Sequence, residues 1–298
     1  MFKGKTKGEI IFDIFIYIFM VYVLIITLYP FLNILAISFN DSVDATKGGI
    51  HIFPRSFTLA NYREIFKYQN IPHAFMISVL RTVIGTVTGI ITSCMLAYTL
   101  SRKDFMCRKF FATLFVLTMY VSGGLIPEYM LIRNIGLVGK FSVYIIPGLI
   151  STWNVIVIRS FMENIPYSLQ ESAKIDGATD LKIFIQIIMP LCIPVIATIS
   201  LFIAVGQWNS WMDTFLFANG KDKLSTLQYE LMKVMANTTA NQGPDAAAKY
   251  QSGVKIATVS PQSIRMAITI IATVPILIVY PFVQKYFVSG LTLGAVKQ

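Results

Sequence analysis

The sequence predicts an all-α, polytopic membrane protein with six transmembrane helices, and three observations carry that reading. First, 55% of its 298 residues are hydrophobic and only 13% charged, about half the roughly 25% charged share of a soluble domain. Second, apolar segments near 10–38, 73–100, 110–127, 141–158, 183–212 and 266–284 are each long enough to cross roughly 30 Å of hydrocarbon at about 1.5 Å per residue. Third, the cations divide unevenly between alternate loops. Lys3, Lys5, Lys7, Arg102, Lys103, Arg108 and Lys109 crowd short segments on one side, whereas the other side spreads its cations over longer loops. By the positive-inside rule both termini are cytoplasmic.

The first span follows a basic tail, as a signal peptide would, but it runs uncharged from Ile14 to Asn40 with no small-residue cleavage site after it, so it reads as a helix that stays. Together with the outer loop after it, it makes a first region, 1–71. The core of five further spans occupies 72–284, and a cytoplasmic tail occupies 285–298. The fifth span, Ile183 to Met212, is about 45 Å as a straight helix and exceeds the hydrocarbon thickness, so it projects, tilts or breaks. Pro190 and Pro194 inside it are expected to kink the backbone. The outer loop 213–264 ends in ANTTANQGPDAAAKYQSG, the composition of a flexible tip.

The loop between the fourth and fifth spans is unusually polar. Ser168-Leu-Gln-Glu171 has the form of a capping box, Pro166 suits a helix start, and Gly177 suits a left-handed stop. A helix of about two turns over 167–176 follows from these signals. Alone in water it would be marginal, so it requires a partner surface. Thr179 or Asp180 can cap the next helix.

From Trp153 to Pro194 the run WNVIVIRSFMENIPYSLQESAKIDGATDLKIFIQIIMPLCIP resembles the cytoplasmic loop and following helix of binding-protein-dependent ABC importer permeases. Their signature begins Glu-Ala-Ala, continues with a Gly and ends in Leu-Pro. Ser172 stands where that family usually has Ala, and Met189 where it usually has Leu; both keep size or apolarity. SGGLIPEYMLIRNIGLVG at 122–139, GQWNSWMDT at 206–214 and YPFVQKYFVSGLTLGAVK at 280–297 resemble the carbohydrate-uptake branch, of oligosaccharide and aldouronate type and similar to the maltose-type permeases. The resemblance implies a subunit that hydrolyses nothing itself, pairs with a second permease, sits on two ATPase subunits that bind ATP and Mg, and receives a saccharide from an extracellular binding protein. In this reading Glu171, Ser172, Ala173, Asp176, Gly177 and Ala178 form the coupling helix and its stop. Ala173 and Gly177 permit close backbone approach, and Glu171 is an acceptor for a partner's Arg or Lys.

Candidate pathway residues are Trp153 and Asn154 in the fourth span and Trp208, Asn209 and Trp211 near the outer end of the fifth, because aromatic faces stack on pyranose rings and amides bind hydroxyls. Tryptophans near span ends also serve as interfacial anchors. Arg81, about nine residues into the second span, faces a cavity or a partner at that depth: it contacts an anionic, uronate-containing substrate or pairs with an acid or carbonyl of the second permease. The Lys297 tail either reaches toward the ATPase interface or frays.

Other chemistries are excluded by pattern. Gly4-Lys5-Thr6 lacks the earlier glycine and strand of a P-loop. His51 and His73 lack metal-site spacing, and Cys94, Cys107 and Cys192 form no metal or disulfide framework. Ser122-Gly-Gly has no histidine in a span to activate it. No basic stripe interleaved with aromatics points to nucleic acid. The rival class is a secondary transporter or channel for a small polar solute. A proton- or sodium-coupled carrier commonly buries an acid near mid-membrane, and here Asp13, Glu128 and Asp213 fall at span ends.

Overall fold

The computed structural model describes residues 6–67, 71–218, 220–240 and 260–295, all of it helix, turn and loop apart from one isolated bridge between Asn40 and Phe57. The Lys297 tail and most of the tip of the 213–264 loop lie outside the described residues. By its internal packing the chain forms two units: Met1–Gln69 with Lys233–Val274, and Asn70–Met232 with Pro275–Gln298.

In the first unit, α1 (Lys7–Ser38) starts at a capping box in which Thr6 and Glu9 satisfy each other's backbone N–H groups. Its apolar window buries nothing against the rest of the chain, as befits a helix whose surroundings are hydrocarbon. After it, α2 (Ser42–Ala45) and α3 (Ala60–Lys67) are held by a polar knot. The Asn61 side-chain amide donates to the carbonyls of Ser38 (2.8 Å) and Asn40 (2.9 Å) and accepts from the Ser42 hydroxyl (3.0 Å).

The second unit is organised by α4 (Ile71–Ser101). Gly85, Gly89, Ser93 and Ala97 recur every four residues on it and are all buried, a small-residue ridge that lets helices approach closely. A Cβ on Gly89 would sit 3.5 Å from Ile203, which measures that approach. Around the C-terminal half of this ridge, Cys94, Ala97, Tyr98 and Leu100 pack with Val155, Ile158 and Met162 and with Ile183, Phe184, Ile188, Cys192 and Ile199. Ala173 of the polar loop belongs to the same cluster.

The remaining elements of this unit are interrupted. The helix α5 (Arg108–Tyr120) turns by 119° into α6 (Leu125–Asn134), with Gly124 at φ +83° in the break. A 3-10 turn at Phe141–Tyr144 and an irregular stretch precede α7 (Thr152–Glu163). Then come α8 (Ser168–Ile175), α9 (Asp180–Ile183), a π-turn at Phe184–Ile188, α10 (Met189–Leu191) and α11 (Ile193–Asn209). The chain bends by 82° between Leu191 and Ile193, where Pro190 and Pro194 each remove a backbone donor. The described residues close with α12 (Met212–Phe217), α13 (Leu227–Ala240) and α14 (Pro261–Ala295).

These interruptions leave fewer continuous spans than the six expected from hydropathy. Among the described residues, three helices are long and apolar enough to cross a membrane, and five if each bent pair counts as one span. Of the stretch expected as a fourth span, 141–158, only 152–158 lies in an α-helix, and that helix, α7, is 12 residues in all, about 18 Å against roughly 30 Å of hydrocarbon. Pro147 and Gly148 explain this: both are apolar enough to pass a hydropathy window, yet neither continues a helix.

Candidate functional site

The polar loop folds into α8 and a tight stop. Gly177 adopts φ +78°, a conformation only glycine takes without strain. Its N–H donates to the Lys174 carbonyl (3.0 Å), and the Ala178 N–H reaches the Ala173 carbonyl (2.9 Å), the paired closure of a Schellman motif. The capping box expected at Ser168 is not formed. Tyr167 occupies the N-cap position with helical backbone angles and no side-chain cap, so Ser168 already lies inside the helix, where its hydroxyl is not aimed at the N3 amide. Thr179 does cap α9, accepting from the Lys182 N–H at 3.4 Å.

Within α8, Gln170 and Ala173 are buried and hold it to the core, while Glu171, Ser172, Asp176 and Gly177 are exposed and Ala178 is half-buried. Beside them Ile175 is 86% exposed and Leu169 is also exposed. The outward residues therefore include two acids, Lys174, Ser172 and two apolar side chains, Leu169 and Ile175.

A second assembly surrounds Arg81, only 2% exposed. Its Nε and one terminal nitrogen donate to Gln207 Oε1 (3.1 and 2.9 Å). Its terminal nitrogens also span both oxygens of Asp213 (3.2 and 2.5 Å), and one of them reaches the Ser210 carbonyl (3.3 Å). The guanidinium carbon lies 4.5 Å above the Tyr144 ring. Gly85 makes this possible: a Cβ there would sit 2.8 Å from Gln207 Cδ and Nε2, so only glycine lets Gln207 lie flat against α4 and reach Arg81.

With each of the five N–H groups of a guanidinium matched by an acceptor, Arg81 has no donor left for a sugar, and its acid belongs to this same chain. The counter-charge that a lone cation calls for at that depth is supplied within this chain by Asp213. Gln207 and Asp213 escaped the sequence reading because they lie over 120 residues away in the chain. The available signal was the lone cation itself, which demands a counter-charge at that depth.

The other candidate pathway residues are not gathered at one surface. Trp153 is 47% exposed and packs on Phe202 at 5.7 Å, but Asn154 is buried. Trp208 is buried edge-on to Phe75 (5.8 Å). Asn209 is exposed and accepts from Gln228 (3.3 Å), and Trp211 is half-buried beside Phe215. Among the described residues no group of three or more His, Cys, Asp or Glu side chains has a metal-holding arrangement.

No protein-family model matches the chain, but individual proteins do. It is 39% identical over 290 residues to the polygalacturonan/rhamnogalacturonan transport system permease protein YtcP of Bacillus subtilis strain 168, covering 96% of this chain and 98% of that one. It is 36% identical over 293 residues to protein LplC of the same organism, covering 98% and 97%. Among solved structures it matches a chain of a bacterial ABC transporter involved in the import of the acidic polysaccharide alginate, with a TM-score of 0.82 and 27% identity over 95% of this chain and 99% of that one. The chain belongs to the carbohydrate-uptake ABC-importer permeases, a transport subunit with no catalysis of its own.

Proposed function

We propose that this chain forms, with a second permease, the path of an oligosaccharide carrying uronate carboxylates, and that two ATPase subunits drive it through α8. An extracellular binding protein delivers the sugar. The single observation that carries the coupling reading is α8 itself: two turns, stopped by Gly177 at φ +78°, with Glu171, Ser172 and Asp176 turned outward beside a bare Ile175. The anionic substrate class is supported by the names of the relatives, which concern polygalacturonan, rhamnogalacturonan and alginate. The same reading places both chain ends and α8 on the cytoplasmic face, supported by the cations around 102–109. It counts the broken stretch 141–163 as a sixth crossing, supported by the burial of Val143, Tyr144 and Ile145, since irregular backbone at membrane depth is tolerated where protein covers it.

Alternating access then needs only differential affinity: ATP-bound and ATP-free ATPase dimers hold the two coupling helices at different separations, and the bent helices turn that into outward or inward opening. A carrier mechanism has less to work with, because Asp213, an acid close to the buried Arg81, is already ion-paired to it. The test is Glu171→Ala beside Gly177→Val in the assembled complex. Loss of a charge-assisted contact, roughly 1.5–3 kcal/mol, lowers ATPase retention or substrate-stimulated hydrolysis while insertion stays intact. Normal transport in both variants refutes the docking role.

A further inference from the structure

The loop joining α4 to α5 holds a charge cluster that docking does not itself require. Arg102, one residue beyond α4, is a cation only 7% exposed. Its Nε donates to Asp104 Oδ1 at 2.8 Å, and a terminal nitrogen meets Asp104 Oδ2. Its other terminal nitrogen donates to Asp180 Oδ1 (2.7 Å) and to the Tyr98 hydroxyl (2.8 Å). Lys174, in the last turn of α8, donates to Asp104 Oδ2 (3.2 Å) and lies 3.7 Å from Asp180 Oδ1. Two cations and two carboxylates thus alternate in a closed ring, each in contact with both charges of opposite sign. The ring joins the end of α4, the following loop, α8 and α9, and it spans the turn at Gly177.

We propose that this ring is the positioning device that fixes the coupling helix to α4, with Arg102 as its anchor. The proposal rests on the docking reading of α8 given above. Exposed ion pairs alone contribute little, and Asp104, Lys174 and Asp180 are substantially exposed. Arg102 is different, because opening the ring leaves a buried guanidinium without its partners, and that is costly. The lowest-energy arrangement keeps the ring closed, so α8 turns about Gly177 only together with α4 and α9. A lysine is not equivalent at this position: a guanidinium grips Asp104 through two nitrogens while serving Asp180 and Tyr98, whereas an ammonium is a single point of charge. Burial of α8 supplies the other half of the attachment through Ala173 and Gln170, so the ring sets orientation where apolar contact sets proximity.

The experiment uses the complete complex in lipid nanodiscs, measuring ATPase retention, basal hydrolysis and the stimulation of hydrolysis by sugar-loaded binding protein. Arg102→Gln keeps the ATPase bound and basal hydrolysis near the parent value, but stimulation falls about tenfold. Arg102→Lys restores part of it. Asp180→Asn, at an exposed position with little folding risk, falls in the same direction, and adding it to Arg102→Gln costs nothing further, because the ring is already open. Full stimulation in Arg102→Gln or Asp180→Asn overturns the proposal, as do losses that multiply in the double variant. If Arg102→Gln does not assemble, Asp180→Asn decides alone. Loss in Glu171→Ala with full stimulation in the ring variants discards the ring and leaves docking standing, whereas full function in Glu171→Ala and Gly177→Val discards docking itself.

Discussion

Replacing Asp213 with Asn removes one carboxylate from beneath Arg81 and leaves the rest of its surroundings in place. Arg81 is 2% exposed and Asp213 side-chain exposure is 23%, so the pair is half-way between a buried and a surface ion pair. Breaking a fully buried pair by removing one partner costs roughly 3–5 kcal/mol, because the remaining charge is stranded. The partial exposure of Asp213 places this case at the lower end, about 3 kcal/mol, since Gln207 and the Ser210 carbonyl still accept from the guanidinium. At roughly 2–4 °C per kcal/mol for a unit of this size, the purified complex loses about 6–12 °C in its unfolding midpoint. Arg81→Met with Asp213→Leu removes both charges and is less destabilised than Asp213→Asn alone, since an apolar replacement of a whole pair is near neutral. The assay is thermal unfolding in detergent, with uptake of uronate and neutral oligosaccharides measured alongside. An unchanged midpoint in Asp213→Asn, or an Arg81→Gln variant that loses only the anionic sugar, refutes the intrachain role assigned to Arg81.

Gly85→Ala drives a methyl group to 2.8 Å from Gln207 and should cost about 1–3 kcal/mol by overpacking. Gln207→Ala beside it recovers most of that loss in the same unfolding assay, and no recovery would contradict the packing argument. The Arg102 ring also predicts a pH profile. Hydrogen bonding from Arg102 holds the Asp104 carboxyl below the usual carboxylate range, against the opposing effect of burial, and the Asp104 hydrogen bond raises the Lys174 ammonium. The first contribution is present above pH of about 4 and lost as pH falls, and the second is present below about 10 and lost as pH rises. Substrate-stimulated hydrolysis is therefore flat from about pH 5 to 9 as far as the ring is concerned, and a titration near neutrality that Arg102→Gln abolishes would contradict this. Topology is checked with single cysteines in a background lacking Cys94, Cys107 and Cys192. A cysteine at Lys47 reacts with impermeant maleimide on intact cells and one at Lys103 does not, the reverse pattern placing the coupling loop outside.

The residues that were legible in the sequence are those whose signal is local. Gly177 before a capped helix announced its left-handed stop, and Thr179 announced the cap of the helix after it. The break at Pro190 and Pro194 was equally open to reading. What was hidden falls into two kinds. Hydropathy windows register composition and not continuity, so Gly123, Gly124, Pro147 and Gly148 were not read as breaks inside stretches that fold as interrupted elements. Contacts between distant segments leave no local trace either. Arg81 advertised that it needed an acid, but only the close approach permitted at Gly85 shows that Gln207 and Asp213 supply the acceptors. Arg102 looked like one more cytoplasmic cation of the positive-inside kind, and its burial against Tyr98 is what separates it from Lys103 and Lys109.

This chain is expected to move a carbohydrate only as part of an ATP-driven assembly. The most direct measurement is reconstitution into proteoliposomes of the tagged chain with the partners that co-purify with it, followed by uptake of a uronate oligosaccharide presented on its binding protein. The expected result is co-purification of an ATPase and a second permease, and accumulation that requires internal ATP and falls when Glu171 is replaced by Ala. Uptake by the purified chain alone, indifferent to ATP and driven by a proton or sodium gradient, would contradict it.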